Sequence, residues 1–354
     1  MLLKKVDRDV SRVIGKIGNS YFNPLNTHEE KKKVFKDNTY NPKFKYTPPK
    51  KTLESAEKML NELKTDNTVY GQLLRRKIKE LQNTLGMIKN TGKKNFTNYS
   101  LKVYGRPSQE LVRTAKKILK IDEEEVWKKY SKLSVHKKFT DTFMLNKYDW
   151  EVKEKNMVAG AAVNSKKRTL FLNKEKDFIE RDVKRLIIHE IGTHVARYEN
   201  GKKQKYAMFS FGFPNYLETE EGFAAYNEYK CGLLSPKILK TYAGRVLAND
   251  LSLKNSFCAV YNSLLEYFPK NDAWTLTLRA KRGLSDTSKP GAFTKDHIYL
   301  KGFLNVKKYA ERGGDIKKLY IGKIGIEHVP LLKYIIWNLK KNLSINIVNL
   351  LILK

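Results

Sequence analysis

The chain has 354 residues, 41% of them hydrophobic and 11% aromatic, enough to bury a full core, and this excludes wholesale disorder. Its 70 Lys and Arg against 37 Asp and Glu leave a formal charge of +33, which points to a polyanionic partner such as nucleic acid, an anionic membrane or an acidic protein surface. Only fourteen of the basic residues are arginine, the side chain that specific phosphate or base recognition prefers, so the excess is mostly lysine and reads as a solvated face or a composition bias as readily as a basic groove; two cysteines exclude a disulfide framework or a cysteine-only zinc site.

Residues 1–50 read as basic and turn-rich. Asn41-Pro42-Lys43-Phe44-Lys45-Tyr46-Thr47-Pro48-Pro49 cannot be helical, because its prolines bias it to extended structure. Phe44 and Tyr46 alternate with lysines, as in a strand or an arm laid over a surface. From Leu53 to Lys89 the apolar spacing turns helical. Ala56, Met59, Leu60 and Leu63, then Leu73, Leu74, Ile78 and Leu81, predict two antiparallel helices with a break near Asp66–Gly71. A loop is expected over Asn90–Tyr104, and Ser108 is placed to cap a helix over Glu110–Lys120.

Residues 140–175 predict β structure. Trp150 and Val152, then 157–163, then 169–172 read as strands, with Asn164-Ser165-Lys166-Lys167 as a hairpin turn. From Phe178 the chain is helical again, with helices expected near Glu221–Leu234, Pro236–Leu247, Phe257–Tyr267, Thr294–Glu311 and Ile326–Asn342. No apolar run reaches the length of a membrane helix, the tail Ile345–Leu353 being the longest candidate. The start is not followed by an apolar leader segment, so a soluble intracellular protein is expected. One mainly helical unit with a small sheet fits this pattern better than two independent domains.

The chemically informative segment is His189-Glu190-Ile191-Gly192-Thr193-His194 within an apolar helix. Two histidines with a glutamate after the first resemble the zinc-hydrolase pattern H-E-x-x-H, but with one residue more. An ideal α-helix places positions i and i+5 about 140° apart. A π-type widening turns about 80° per residue and brings them nearly into line, and Gly192 relaxes the backbone inside the spacing. Downstream, Thr219 is placed to cap a helix whose first turn carries Glu220 and Glu221. A glutamate from that helix would complete a His/His/Glu zinc site with a fourth position open. Glu190 would then act as general base in metal-assisted amide hydrolysis. The bland reading is a helix with two unrelated histidines, followed by a helix with acids in its first turn.

These two segments, with Glu220-Glu221-Gly222-Phe223-Ala224 as the second, resemble the QEGLA-motif family, whose animal members are the microtubule-associated tyrosine carboxypeptidases. Further matches follow in order. They are Tyr104-Gly105-Arg106-Pro107-Ser108-Gln109-Glu110-Leu111, Trp274-Thr275-Leu276-Thr277-Leu278-Arg279-Ala280-Lys281-Arg282-Gly283, and Phe293-Thr294-Lys295-Asp296-His297-Ile298-Tyr299-Leu300-Lys301-Gly302. The resemblance implies an α+β, mainly helical, zincin-like metallopeptidase with a small sheet preceding the motif helix. It implies a basic N-terminal tail over 1–20, a helical part over 21–150 packed on a catalytic core over 151–342, and a C-terminal tail over 343–354. It implies one Zn2+ per chain held by His189, His194 and Glu221, with Glu190 as catalytic base and Glu220 as a supporting or rival ligand. The implied reaction removes a C-terminal aromatic residue, tyrosine for α-tubulin.

Such an enzyme must also hold the substrate's terminal carboxylate and polarise the scissile carbonyl. Arg279, Arg282 and Lys295 are candidates for the carboxylate and Tyr299 for the carbonyl, against the plain alternative that the arginines are salt-bridge partners. Leu284–Pro290 reads as an insertion relative to the family. The expected partner is an acidic protein tail, as on α-tubulin or microtubules, in the cytoplasm, with no specific nucleic acid and no membrane. Lysines of such an enzyme would line the approach to the metal, with candidates in Lys202–Lys205, Lys281–Lys289 and Lys295. The competing class is a basic nucleic-acid- or cytoskeleton-binding protein whose zinc site is structural or inactive. Cys231 is expected in the core, and His28 and His136 on the surface.

Overall fold

The computed structural model describes residues 2–121, 129–130, 132–157 and 159–336. The expected C-terminal tail lies outside them, as does the end of the helix expected to run to Asn342. Two compact units emerge, each built from two stretches of chain. The first takes residues 1–122 and 236–301, the second 123–235 and 302–354. This replaces the expected single unit divided near residue 150. The reason lies in the packing of helix Pro236–Ser252, which sits against Gln109–Ile118 and Lys270–Lys281 and so ties 236–301 to the N-terminal half.

The first unit is helical. Its opening segment is no tail: Leu2–Ile14 is a helix whose Val6, Val10 and Val13 are buried. The i, i+4, i+7 spacing gives one apolar face, and Tyr70 donates a 2.6 Å hydrogen bond to the buried Asp7 beside it. Thr27–Lys36 is a second helix that the turn-rich reading did not foresee. Thr52–Glu62 and Val69–Lys89 follow the predicted break, and the latter is capped by Thr68. The loop expected over 90–104 contains a helix, Phe96–Tyr104, with Phe96 and Ser100 buried. Ser108 caps Gln109–Ile118 as expected, its hydroxyl accepting from the Leu111 N–H at 3.1 Å.

The proline-rich arm is extended and lies along the 284–290 insertion. Phe44 N–H donates to the Ser285 carbonyl at 3.0 Å, Thr287 Oγ1 to the Pro42 carbonyl at 2.6 Å, and Gly283 N–H to the Tyr46 hydroxyl at 2.8 Å. Lys281 anchors the same loop from beneath. It is fully buried and its Nζ donates to the carbonyls of Ser252, Asn255 and Lys289. Burial pulls its pKa down to about 7, while the three carbonyl oxygens favour the charged form. Lys281 is therefore a structural strut and cannot be a groove lysine.

The second unit carries the sheet. Glu151–Lys155 pairs parallel with Thr169–Asn173, and Ala161–Asn164 pairs antiparallel with the other edge of that central strand. The turn after Asn164 is a short 3₁₀ segment, Ser165–Lys167, where the hairpin was expected. Residues 132–145 are helical, so the β region is narrower than its sequence suggests. Leu170 and Leu172 of the central strand pack with Phe139, Phe143, Trp150 and the helical run that follows: Val183, Ile187, Ile191 and Val195. The sheet thus supplies the floor on which the histidine-bearing segment rests. His28 is exposed as expected, while His136 is half-buried, its Nε2 3.3 Å from the Val152 carbonyl. Cys231 is exposed at the end of helix Tyr216–Lys230 instead of in the core. Among the described residues no helix is long and apolar enough to cross a membrane.

Candidate metal centre

The helix Glu180–Leu186 widens into a π-helix over Ile187–Val195 and returns to α-helix at Ala196–Lys202. The sequence demanded this widening for His189 and His194 to share a face, and the rings meet at 4.8 Å between centroids, nearly perpendicular at 82°. Thr193 steadies the widened turn. Its hydroxyl donates to the carbonyl of Ile188 five residues back at 3.1 Å and accepts from Asn227 Nδ2 at 2.9 Å. Asn227 also donates to the Tyr320 hydroxyl at 3.0 Å.

Glu221 arrives from helix Tyr216–Lys230, which packs on the π-segment. This helix starts earlier than expected, after Asn215 in the left-handed conformation, so Thr219 does not cap it. Thr219 instead accepts the Ile326 N–H at 3.0 Å. The depth of the helix depends on Gly222. A Cβ there would stand 2.1 Å from the carbonyl carbon of Gly302, which in turn lies against the Glu218 carbonyl. Only a glycine pair permits this backbone approach.

His189 Nε2 lies 3.7 Å and His194 Nε2 3.8 Å from the same atom, Glu221 Oε2. One donor atom from each of the three residues lies within 4.8 Å of the others. Zinc bonds of about 2.0–2.1 Å in tetrahedral array put ligand atoms roughly 3.3 Å apart, so the spacing and donor types fit zinc after a small contraction.

Behind each imidazole stands a carboxylate. His189 Nδ1 is 2.6 Å from Glu228 Oε1, which also accepts from Arg185 Nη1 at 3.1 Å. His194 Nδ1 is 2.8 Å from Glu220 Oε1, and Glu220 pairs with Arg197 and, at 3.4 Å, with Lys323. Arg197 is fully buried and also donates to the carbonyls of Leu319, Gly322 and Ile324. Each Nδ1–H donates to its carboxylate, which turns each Nε2 lone pair to the common point. Burial opposes charge on His189, but hydrogen bonds to Glu221 and Glu228 outweigh it and push its pKa up to about 10. Burial also disfavours charge on Glu220, yet Lys323, Arg197 and His194 hold it well below the usual carboxylate range.

The structure therefore brings His189, His194 and Glu221 together and sets Glu220 behind His194. Glu190 sits in the same π-segment, 6% exposed. Arg279, Arg282, Lys295 and Tyr299 belong to the first unit. There Arg279 Nε pairs with the buried Asp296, Arg282 Nη1 donates to Asn23 at 3.1 Å, Lys295 is half-buried, and the Tyr299 ring carries Arg245. Sequence reasoning missed Glu228, Arg185, Arg197 and Lys323. Helical spacing holds a trace of three of them: Glu228 is seven residues after Glu221, Arg185 four before His189, Arg197 three after His194.

The pattern of the family described as microtubule-associated tyrosine carboxypeptidase matches residues 32–339. Mouse MATCAP2 is 26% identical over 325 residues, which cover 88% of this chain and 54% of that protein. Mouse microtubule-associated tyrosine carboxypeptidase 1 is 30% identical over 156 residues, 42% of this chain and 32% of that protein, and its rat counterpart is 31% identical over the same shares. The aligned part thus spans between about a third and about half of these relatives' own length. With nearly the whole chain inside the family pattern, this protein belongs to the microtubule-associated tyrosine carboxypeptidase family.

Proposed function

We propose that the chain is a zinc-dependent carboxypeptidase that removes a C-terminal aromatic residue, tyrosine by preference, from an acidic protein tail. The observation that carries this reading is the convergence of two imidazole Nε2 atoms and the Glu221 carboxylate, with Glu190 next to the first of them. His189, His194 and Glu221 would hold the metal. A zinc ion with three protein ligands and an open position lowers the pKa of water towards 7 and polarises a carbonyl. Glu190 then takes the water's proton and hands it to the leaving amine. Glu228 and Glu220 hold the imidazole rings in orientation, and Arg185, Arg197 and Lys323 balance their charge. A donor set of three favours a catalytic over a closed structural site, which uses four.

The tail specificity rests on charge and on the relatives' names. A chain of +33 attracts a glutamate-rich segment at long range, and such attraction weakens as salt is added. A microtubule-associated, cytoplasmic enzyme acting on an α-tubulin-like tail fits both. The assignment of Arg279, Arg282 or Lys295 to the substrate carboxylate and of Tyr299 to the carbonyl oxygen rests on the family motifs alone.

The test uses acidic peptides ending in Tyr, Phe, Leu or Lys, with and without a chelator, read by mass spectrometry. Loss of one terminal aromatic residue, abolished by chelation and restored by zinc, is the expected result. Cleavage indifferent to chelation, or internal cleavage, would overturn it.

A further inference from the structure

The widened turn is held by a side chain as well as by its backbone. In the π-segment the Ala196 N–H reaches the Ile191 carbonyl, five residues back. The Thr193 hydroxyl spans the same interval, donating to the Ile188 carbonyl at 3.1 Å. In an α-helix a threonine hydroxyl meets the carbonyl four residues back, which here is that of His189. The bond to Ile188 therefore belongs to the wide form of the helix. Thr193 and Ile188 are both fully buried, so bulk water does not compete for either group. The hydroxyl is also fixed from outside the helix. Asn227, on the helix that carries Glu221 and Glu228, donates through Nδ2 to Thr193 Oγ1 at 2.9 Å and to the Tyr320 hydroxyl at 3.0 Å. Tyr320 is itself held in place. Its ring stands edge-on to Phe223 at 4.9 Å, and the carbonyls of Leu319 and Gly322 on either side of it accept from Arg197 Nε at 2.8 and 3.0 Å.

A π-turn is rare, so whatever favours it over the α form matters. A return to α-helix would swing His194 about 140° from His189, and the common point of the donor atoms would be lost. We infer that Thr193 is a positioning residue for the metal centre: its hydroxyl, clamped by Asn227 and Tyr320, selects the wide form of the helix and so sets the metal affinity. Thr193 is not one of the donor residues and acts through the two histidines. The inference rests on the metal reading of the site only where zinc or cobalt is the readout. Two substitutions separate it from plain packing. Valine keeps the branched shape and loses the hydroxyl, whereas serine keeps the hydroxyl and loses the branch. A role for the hydroxyl makes valine the damaging change, and a role in packing makes it serine.

The test compares Thr193→Val, Thr193→Ser and the parent chain, with zinc affinity read by competition with a chelating dye. Thr193→Val is expected to bind zinc at least about tenfold more weakly, the usual cost of losing a group that orients metal ligands, and Thr193→Ser to stay near the parent. Cobalt-loaded samples add a spectroscopic check. Their visible absorption bands report ligand geometry, and should change in Thr193→Val and return in Thr193→Ser. Hydrogen exchange of the metal-free chain does not depend on the metal reading. Amides of residues 187–195 should exchange faster in Thr193→Val, those of helix Pro236–Ser252 should not, and Thr193→Ser should restore protection. Tyr320→Phe keeps the ring and removes one hydrogen bond, so it should weaken zinc binding a few-fold in the same direction, and it serves if Thr193→Val folds poorly. A parent chain that binds no zinc would sink the metal reading alone, and the exchange result would then decide the inference. Thr193→Val with the exchange and zinc affinity of the parent, or a deeper defect in Thr193→Ser than in Thr193→Val, would overturn it.

Discussion

Around His189 and His194 buried acids and bases alternate. Glu228 stands between His189 and Arg185, and Glu220 between His194 and the pair Arg197 and Lys323. Around Asp296 they do not alternate, since Arg279, Arg282 and Arg245 crowd one carboxylate and donor atoms stay unpaired. The contrast separates two uses of buried charge. In the second unit the alternation fixes rotamers and tautomers, so three donor atoms face one point before any ligand arrives. In the first unit the three guanidiniums act together on one buried carboxylate and hold it ionised.

The largest effect should come from breaking the converging set. His194→Ala or Glu221→Ala should reduce zinc content, measured by mass spectrometry of the native protein, to well below one per chain, and peptide cleavage to background. Variants that kept both zinc and turnover would remove the metal centre from the account.

The next effect separates the two carboxylates behind the rings. Glu220→Gln leaves the fully buried Arg197 without its counter-charge, which should destabilise the second unit by about 3–5 kcal/mol in denaturant unfolding. Glu228→Gln leaves Arg185 next to Asp182, a second acid at 3.8 Å, so it should act less on stability and more on the metal. A zinc affinity about 10–100-fold weaker is expected from competition with a chelating dye. Equal stability losses in the two variants would mean that the networks are equivalent.

The last effect lies in the first unit and is read from its pH dependence. Asp296 has its folded pKa held below its ordinary value of 3.8. Its contribution to stability is therefore present above about pH 4 and is lost as pH falls below that value. Asp296→Asn should flatten the acid limb of the stability curve relative to the parent chain. An unchanged acid limb would show that the arginines do not act on this carboxylate.

How much of this is legible in the sequence follows from how local each feature is. The π-widening is legible, because two histidines five residues apart cannot share a face of an α-helix and a glycine stands between them. The Ser108 cap and the break before Val69 are legible for the same reason: their causes lie within a few residues. The helix Leu2–Ile14 is hidden because Lys4, Lys5 and Arg8 suggest a tail, while its buried apolar residues among those described are the valines at 6, 10 and 13. The true start of the Glu221 helix is hidden because Asn215 adopts a left-handed conformation that its sequence does not impose. The partners of Glu220 and Glu228 are tertiary choices. No local signal says that Arg197 reaches three carbonyls between Leu319 and Ile324, or that Lys281 is a buried strut among so many exposed lysines.

The most direct measurement compares the wild-type chain with Glu190→Gln, both loaded with zinc, on an acidic peptide ending in tyrosine. Released tyrosine and bound zinc are read in the same samples. The account predicts one zinc per chain in both proteins, stepwise loss of a single terminal tyrosine with the wild type, and turnover lowered by at least about a hundredfold in the variant, the usual worth of a general base. Undiminished release by Glu190→Gln, or an intact peptide in the presence of zinc-loaded wild type, would contradict it.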